Sequence, residues 1–500
     1  MSHPVPDRAP VNPMPLPDGP VRARFGTSDI DEALLARLRS ACADVRVDDA
    51  SRTDSSRDWW PLTMVWARQG EVPARPGAVA RPTSADEVSA VLALCNEARV
   101  PVTPAAGRSG VCGAAVPIYG GVVLDMTGLA GITSVDDESL LLEVLPGTWG
   151  DDLEDELRGT HGLTLGHWPQ SIALSTVGGW VACRSAGQYS TRYGKIEDMV
   201  VGLDVVLADG SSITTGGTAP RAAVGPDLGQ LIIGSEGTLG VVTSATLRVH
   251  PLPTGEGRAA YSFSTFADGL EVCRKVLRRG ATPAVLRLYD HRESRRSFDV
   301  ENGNVLIVLD EAEQVIVDAV MRIVEDEARA HGAERLDDAL VDRWLHHRNE
   351  VSGLADAINR DVVVDTCEIA GRWSALSALY ERAVADVKAV DGAWVCSAHQ
   401  SHAYTDGACL YFTFAGQRDG DPDGFYADVW TALTDATREA GCAISHHHGI
   451  GINRSRFMRD AWGSAFDTLV TVKSALDPNG ILNPGKLGLP SPFGPDVAWP

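Results

Sequence analysis

Apolar and polar positions first fall into a regular order at residues 78–128. Val79-Ala80-Arg81-Pro82 predicts a short strand, and Ser84-Ala85-Asp86-Glu87 supplies a capping box for a helix running to about residue 98. Apolar runs at 100–103 and 122–126 predict two further strands, so 78–128 forms a strand-helix-strand-strand lobe. Upstream, a helix is predicted over 30–42, and Trp59-Trp60-Pro61-Leu62 reads as a connection anchored by large rings. Residues 1–22 hold Pro4, Pro6, Pro10, Pro13, Pro15, Pro17 and Pro20, which predict a flexible or extended arm because proline removes backbone donors and blocks helix.

From residue 132 strands dominate. Leu141-Leu142-Glu143-Val144 leads into Pro146-Gly147-Thr148-Trp149 and a helix over 150–158. Strands at 202–207 and 211–215 flank Asp209-Gly210, a two-residue hairpin signal, and 239–249 completes the unit. Beyond Pro251-Leu252-Pro253, helices are predicted near 267–278, 312–330 and 376–388, with strands at 285–289, 304–309 and 408–415. The fold class is α+β: an arm and helical lead-in over 1–77, a two-lobed ligand-binding domain over 78–251, a second domain over 252–440 that roofs the ligand, and a C-terminal segment over 441–500. No solenoid-length repeat is evident.

A chain of 500 residues exceeds one ordinary core, which agrees with several units. The formal charge of -23 disfavours nucleic acid and gives no basic footprint for an anionic membrane, while leaving room for a local Arg or His pocket. Nine scattered cysteines without a C-x-x-C pair argue for a reducing compartment. With no leader-like segment and no run of 18 apolar residues, a cytoplasmic location is expected, although an amphipathic contact with lipid would escape this test.

Three glycine-rich segments carry candidate chemistry. Pro104-Ala105-Ala106-Gly107-Arg108-Ser109-Gly110 follows a strand, where N–H groups free of Cβ interference can approach a diphosphate. Pro169 through Trp180 interleaves Ser171, Ser175 and Thr176 with Gly178 and Gly179, suiting a wall of hydroxyl and backbone donors. Ile233 through Val242 places Glu236, Gly237, Thr238 and Gly240 ahead of Val242. Each segment alone is equally explained by structural turns.

Together, in this order, the three resemble the FAD-binding domain of the vanillyl-alcohol oxidase superfamily, also called PCMH-type. Ser175-Thr176-Val177-Gly178-Gly179 with Gly234 to Thr243 resembles the branch of D-lactate dehydrogenase, glycolate oxidase and alkylglycerone-phosphate synthase. The resemblance implies FAD held between the two lobes by Pro104, Ala106 to Gly110, Pro169, Ser171, Ser175, Thr176, Gly178, Gly179, Glu236, Gly237, Thr238, Gly240 and Val242, under an α+β cap domain. Where some members carry a flavin-linking histidine, this chain has Val111 and Cys112, so non-covalent FAD is expected. Buried, inert thiols are expected at Cys112 and Cys183.

The sharpest remaining feature is Ser445-His446-His447-His448-Gly449-Ile450-Gly451. If this is a strand, adjacent imidazoles point to opposite faces and do not converge on a metal, so no metal is expected. Three histidines before Gly-x-Gly resemble the synthase branch, as do Arg287 in Val285-Leu286-Arg287-Leu288 and Tyr411 in Ala408-Cys409-Leu410-Tyr411-Phe412. That resemblance implies exchange of the acyl group of acyl-dihydroxyacetone phosphate for a fatty alcohol through a flavin N5 adduct. Tyr411 would be the acid/base, His446, His447 and His448 would move protons, Arg287 would hold the substrate anion, and the enzyme would be a homodimer. Read without the resemblance, Tyr411 equally fits a buried tyrosine with one hydrogen bond, and Arg287 a partner for a structural carboxylate. The alternative activity is an FAD-dependent oxidase or dehydrogenase of a hydroxy acid or alcohol. Two departures stand out: Ile452-Asn453 precede Arg454, so the basic residue after Gly-x-Gly comes two positions late, and Gln170 stands where aspartate is usual.

Overall fold

The computed structural model describes residues 8–217, 219–495 and 499, so Pro4 and Pro6 of the arm lie outside the described residues. The described part of the arm is docked. Met14 is buried against Trp59 and Met64, the Trp59 indole donates to the Val11 carbonyl, and Arg57 donates to that of Met14. Proline blocks helix there as expected, while the apolar residues between the prolines supply the docking contacts.

The first lobe is a four-stranded sheet ordered Val45–Arg46, Ala78–Ala80, Val122–Asp125, Val102–Ala105, its last three strands parallel. Helix Ala85–Ala98 covers it. The Ser84 side chain accepts from the Glu87 N–H, and the Glu87 carboxylate reaches back to the Thr83 N–H, one residue before the cap position the capping box would use. The second lobe is a five-stranded antiparallel sheet ordered Ser212–Gly216, Val200–Val206, Val241–Arg248, Leu141–Val144, Ile132–Asp136. Its hairpin turns at Asp209-Gly210 as the sequence predicts, with Gly210 at φ +86°.

A seven-stranded antiparallel sheet runs in the order Glu334–Leu336, Gly255–Phe263, Asn304–Ala312, Val285–Tyr289, Ala393–Ala403, Gly407–Gly416, Val363–Arg372. One face is apolar. Leu286, Leu288, Leu410, Phe412 and Phe414 share a buried cluster with helices Phe266–Arg278, Gln314–Ala330, Trp373–Ala389 and Pro422–Glu439. Each buried phenylalanine of this face contributes about 1.5–3 kcal/mol. The opposite face borders the ligand cavity. Sequence periodicity finds three of these strands and three of the helices, and misses Gly255–Phe263, Glu334–Leu336, Val363–Arg372, Ala393–Ala403 and helix Pro422–Glu439.

The C-terminal segment returns to the first lobe. The Val102 N–H donates to the Ile481 carbonyl and the Asn483 N–H to that of Val102, while the Asp477 carboxylate accepts from the Ile481 and Leu482 N–H groups. Among the described residues, no helix is long and apolar enough to cross a membrane.

Candidate active site

Strand Val102–Ala105 ends in the Gly107-to-Gly110 turn. A Cβ on Gly107 would collide with the Leu174 carbonyl, and Arg108 takes φ +52°. Among the described residues, the N–H groups of Arg108, Ser109 and Gly110 have no protein acceptor. They border a cavity of about 920 Å³ whose other walls include Pro104, Ala106, Pro169, Ser171, Ser175, Thr176, Gly178, Gly179, Glu236, Gly237, Gly240 and Val242. Unpaired consecutive donors, together with the buried, partnerless hydroxyl of Ser235, fit a dinucleotide diphosphate and its neighbouring polar atoms.

One expected contact, Thr238, is corrected, while Ser175, Thr176 and Glu236 border the cavity with their side chains engaged by protein partners. Thr238 is not on the cavity wall, because its hydroxyl turns inward to the Ser235 carbonyl at 2.7 Å. The Ser175 hydroxyl holds Ser171 O and Trp180 Nε1, and Thr176 caps helix Val177–Cys183, so these side chains brace the wall. The Glu236 carboxylate ties the third segment to the C-terminal one, accepting from the N–H groups of Ile450 at 2.6 Å and Gly451 at 2.9 Å.

The catalytic end follows from sheet register. Glu368 lies opposite Tyr411, Tyr411 opposite His399, and His399 opposite Tyr289, so one row on the cavity face crosses four strands. The Tyr411 hydroxyl donates to Thr366 Oγ1 at 3.0 Å, and its ring stacks on His399 at 4.9 Å between centroids. Burial pushes the Tyr411 hydroxyl above its ordinary range. His447 and His448 lie 6.1 and 5.4 Å from the same ring.

The histidine run is not a strand but a turn wound around one carboxylate. Glu368 Oε1 accepts from Ser445 Oγ at 2.7 Å and from the N–H groups of His446, His447 and His448 at 3.1, 3.0 and 2.7 Å. Burial alone would raise the Glu368 carboxyl, but Arg454 and His448 beside it hold it well below the usual carboxylate range. Arg454 is therefore committed to Glu368 and the Ile444 carbonyl, away from the cavity wall, under the Trp430 ring. The sequence position of this late basic residue reflects anchoring.

Because the run is a turn, the alternation argument against convergence does not hold. The ring nitrogens of His402, His446 and His447 approach within 4.8 Å of one another. Two of these histidines form a relay with Tyr404, whose hydroxyl meets His446 Nε2 at 2.8 Å while His446 Nδ1 meets His447 Nδ1 at 2.9 Å; His402 Nδ1 is bonded instead to the Ser190 hydroxyl at 2.7 Å. His447 and His448 border the cavity; His446 stands behind them. Burial depresses the imidazoles of His402, His446 and His447, His446 to about 4, so they are neutral at pH 7.

Arg287 reaches the same cavity, with Nη2 2.6 Å from His399 Nε2 and Nε 3.1 Å from the Tyr289 hydroxyl. Its neighbours Leu286 and Leu288 face the core, as alternation requires. Sequence reasoning misses Glu293, Glu368, His399 and His402. The available signals were a lone acid in the apolar run Thr366-Cys367-Glu368-Ile369 and two histidines in His399-Gln400-Ser401-His402. A register shift between Ser401 and Ala403, with His402 at φ +48°, places both histidines on the cavity wall.

Fold and cradle define a PCMH-type flavoenzyme. An FAD binding domain model matches residues 76–216, and the C-terminal domain of FAD linked oxidases matches 253–487. The chain belongs to the FAD-linked oxidoreductases, and FAD is its cofactor. YgcU, an FAD-linked oxidoreductase of Escherichia coli K12, is 32% identical over 432 residues, 82% of this chain and 89% of its own. The alkyldihydroxyacetonephosphate synthase of Dictyostelium discoideum is 30% identical over 465 residues, 85% of this chain and 75% of its own. The glycolate oxidase subunit GlcD of Bacillus subtilis is 27% identical, with 82% and 89% covered. A solved alkyldihydroxyacetonephosphate synthase superposes with TM-score 0.78 at 26% identity, over 96% of this chain and 89% of that one. p-Cresol methylhydroxylase, at 18% identity and TM-score 0.74, shares the fold.

Two outcomes are expected of the cradle. Acid should release FAD without proteolysis, since Val111 offers no nucleophile and burial pushes the Cys112 thiol far up; flavin absorbance remaining with precipitated protein would contradict this. Gly107→Ala, a clash worth about 1–3 kcal/mol, should weaken FAD roughly tenfold, read as flavin fluorescence on reconstitution.

Proposed function

We propose that this flavoenzyme exchanges the acyl group of an acyl-dihydroxyacetone phosphate for a fatty alcohol, with no net redox change. The observation that carries this reading is a single cavity with two chemically distinct walls. Arg287, His399, Tyr411 and His447 form the polar one; Trp59, Val111, Leu174, Val351, Leu354 and Val364 form the apolar one. That pairing suits a substrate with an anionic head and a hydrocarbon tail. The similarity to two alkyldihydroxyacetonephosphate synthases supports it.

Bound FAD supplies an electrophilic ring nitrogen. His447, kept neutral by burial, offers a lone pair for the proton lost from substrate C1, and the chain through His446 to Tyr404 shares that proton until His447 returns it to C1 of the ether product. Tyr411, a phenol at rest, protonates the departing carboxylate. The phenolate so formed takes the hydroxyl proton of the incoming alcohol, which returns Tyr411 to its starting state. Arg287 holds the phosphate. Incubation with palmitoyl-dihydroxyacetone phosphate and hexadecanol should yield the ether and palmitate in equal amounts by mass spectrometry. Absence of both products would overturn the reading.

A second reading, oxidation of a hydroxy acid, is favoured by the likeness to YgcU and GlcD and by the polar wall, which takes a carboxylate as readily as a phosphate. It predicts flavin bleaching by a hydroxy acid under anaerobic conditions.

A further inference from the structure

Helix His291–Phe298 begins directly after strand Val285–Tyr289, and its first turn sets Glu293, 1% exposed, against the cavity face of the sheet. Glu293 Oε2 lies 2.7 Å from His399 Nδ1, and Oε1 accepts from the Ser397 and Thr413 hydroxyls at 3.2 Å. On the other side of the imidazole, Arg287 Nη2 lies 2.6 Å from Nε2. A guanidinium only donates, so Nε2 carries the lone pair and Nδ1 the proton given to Glu293. His399 is thus the neutral centre of a chain from Glu293 to Arg287, and its ring is pinned on that of Tyr411. None of the reaction steps above uses Glu293 or His399.

We propose that Glu293 and His399 make anion binding at Arg287 a proton-coupled event. An anion with two acceptor oxygens takes Arg287 Nη2 away from His399; the freed Nε2 gains a proton from water; the imidazolium, steadied by Glu293, becomes the second donor to the anion. His399 is a positioning residue for Arg287 in the free protein and an anion contact in the complex. Phosphate monoesters and carboxylates share the required chemistry.

The charged and titratable groups around His399 are Glu293 and Arg296 from the helix, Arg287 and Tyr289 from one strand, Tyr411 from another, and His402 on its own strand. Glu293 alone among them is negative. In the free protein burial, with Arg287 in support, outweighs Glu293 and holds the imidazole below its ordinary value. A bound anion adds negative charge beside the ring and raises it. Between the free and bound values one proton is taken up, so affinity falls roughly tenfold for each pH unit gained.

This inference rests on Arg287 as the anion contact, and not on which reaction follows. Holoprotein is titrated with inorganic sulfate and with oxalate, neither of which titrates between about pH 6 and 9, and binding is read from flavin absorbance. Calorimetry in two buffers of different ionisation heat counts the protons. The expected result is uptake of up to one proton per anion and a tenfold-per-unit slope over part of the range. Tighter sulfate points to a phosphate monoester, and tighter oxalate to a carboxylate. His399→Gln keeps an acceptor for Arg287 and should bind with a flat pH profile. Proton-independent binding by the wild type, binding of neither anion, or an unchanged slope in His399→Gln would overturn the proposal; if that variant lost its flavin, the wild-type proton count decides alone. Failure of the ether-forming reading would appear as absent acyl release and leave the proton count untouched.

Discussion

Tyr411→Phe is expected to keep its FAD and its fold and to lose turnover by about 10²–10⁴-fold, the range for removing a positioned acid–base group. The ring remains to stack on His399 and to pack beside His447 and His448, so only the hydroxyl and its 3.0 Å bond to Thr366 disappear. Substrate affinity should move little, because the anion contact at Arg287 is untouched. Thr366 loses a donor but keeps its own hydroxyl to turn elsewhere, which limits the cost to stability. Turnover within threefold of wild type would mean that Tyr411 is packing and that the proton is handled by the histidines alone.

Glu368→Ala is expected to produce the largest loss of stability. Glu368 gathers the Arg454 guanidinium, three consecutive N–H groups and the Ser445 hydroxyl in the interior. Removing it leaves Arg454, 1% exposed, without its charge partner, and breaking a buried pair in this way costs about 3–5 kcal/mol. It also frees the turn that carries His446, His447 and His448, so activity should fall with stability. Glu368→Gln retains an acceptor for the N–H groups and should fall between wild type and alanine. Denaturant unfolding reads the difference; a shift below about 1 kcal/mol for alanine would show that water enters and solvates Arg454.

The legible parts of the fold are those where pattern and environment agree. Helix Phe266–Arg278 and strand Asn304–Ala312 have one clear apolar face or a continuous apolar run, and the sequence places both. Strands Ala393–Ala403 and Val363–Arg372 escape because each is buried on two faces while one face is polar. Ser397, His399 and Glu368 look like solvent-facing residues in a sequence, yet they border the cavity or are buried behind it. The row that joins Glu368, Tyr411, His399 and Tyr289 depends on strand order and register, which local periodicity does not encode. In the same way the histidine run announces chemistry, but its shape is dictated by a carboxylate 78–80 positions away. The three glycine-rich segments were readable because tight backbone approach has a compositional signature; the inward turn of the Thr238 hydroxyl has none.

The most direct test of the account is the electron balance. Holoprotein is mixed anaerobically with palmitoyl-dihydroxyacetone phosphate and hexadecanol while the flavin spectrum and released palmitate are followed together. One palmitate per ether, over many turnovers and with the flavin oxidised at the end, is the predicted result. Stoichiometric reduction of the flavin by a hydroxy acid or alcohol, with no palmitate released, would contradict it.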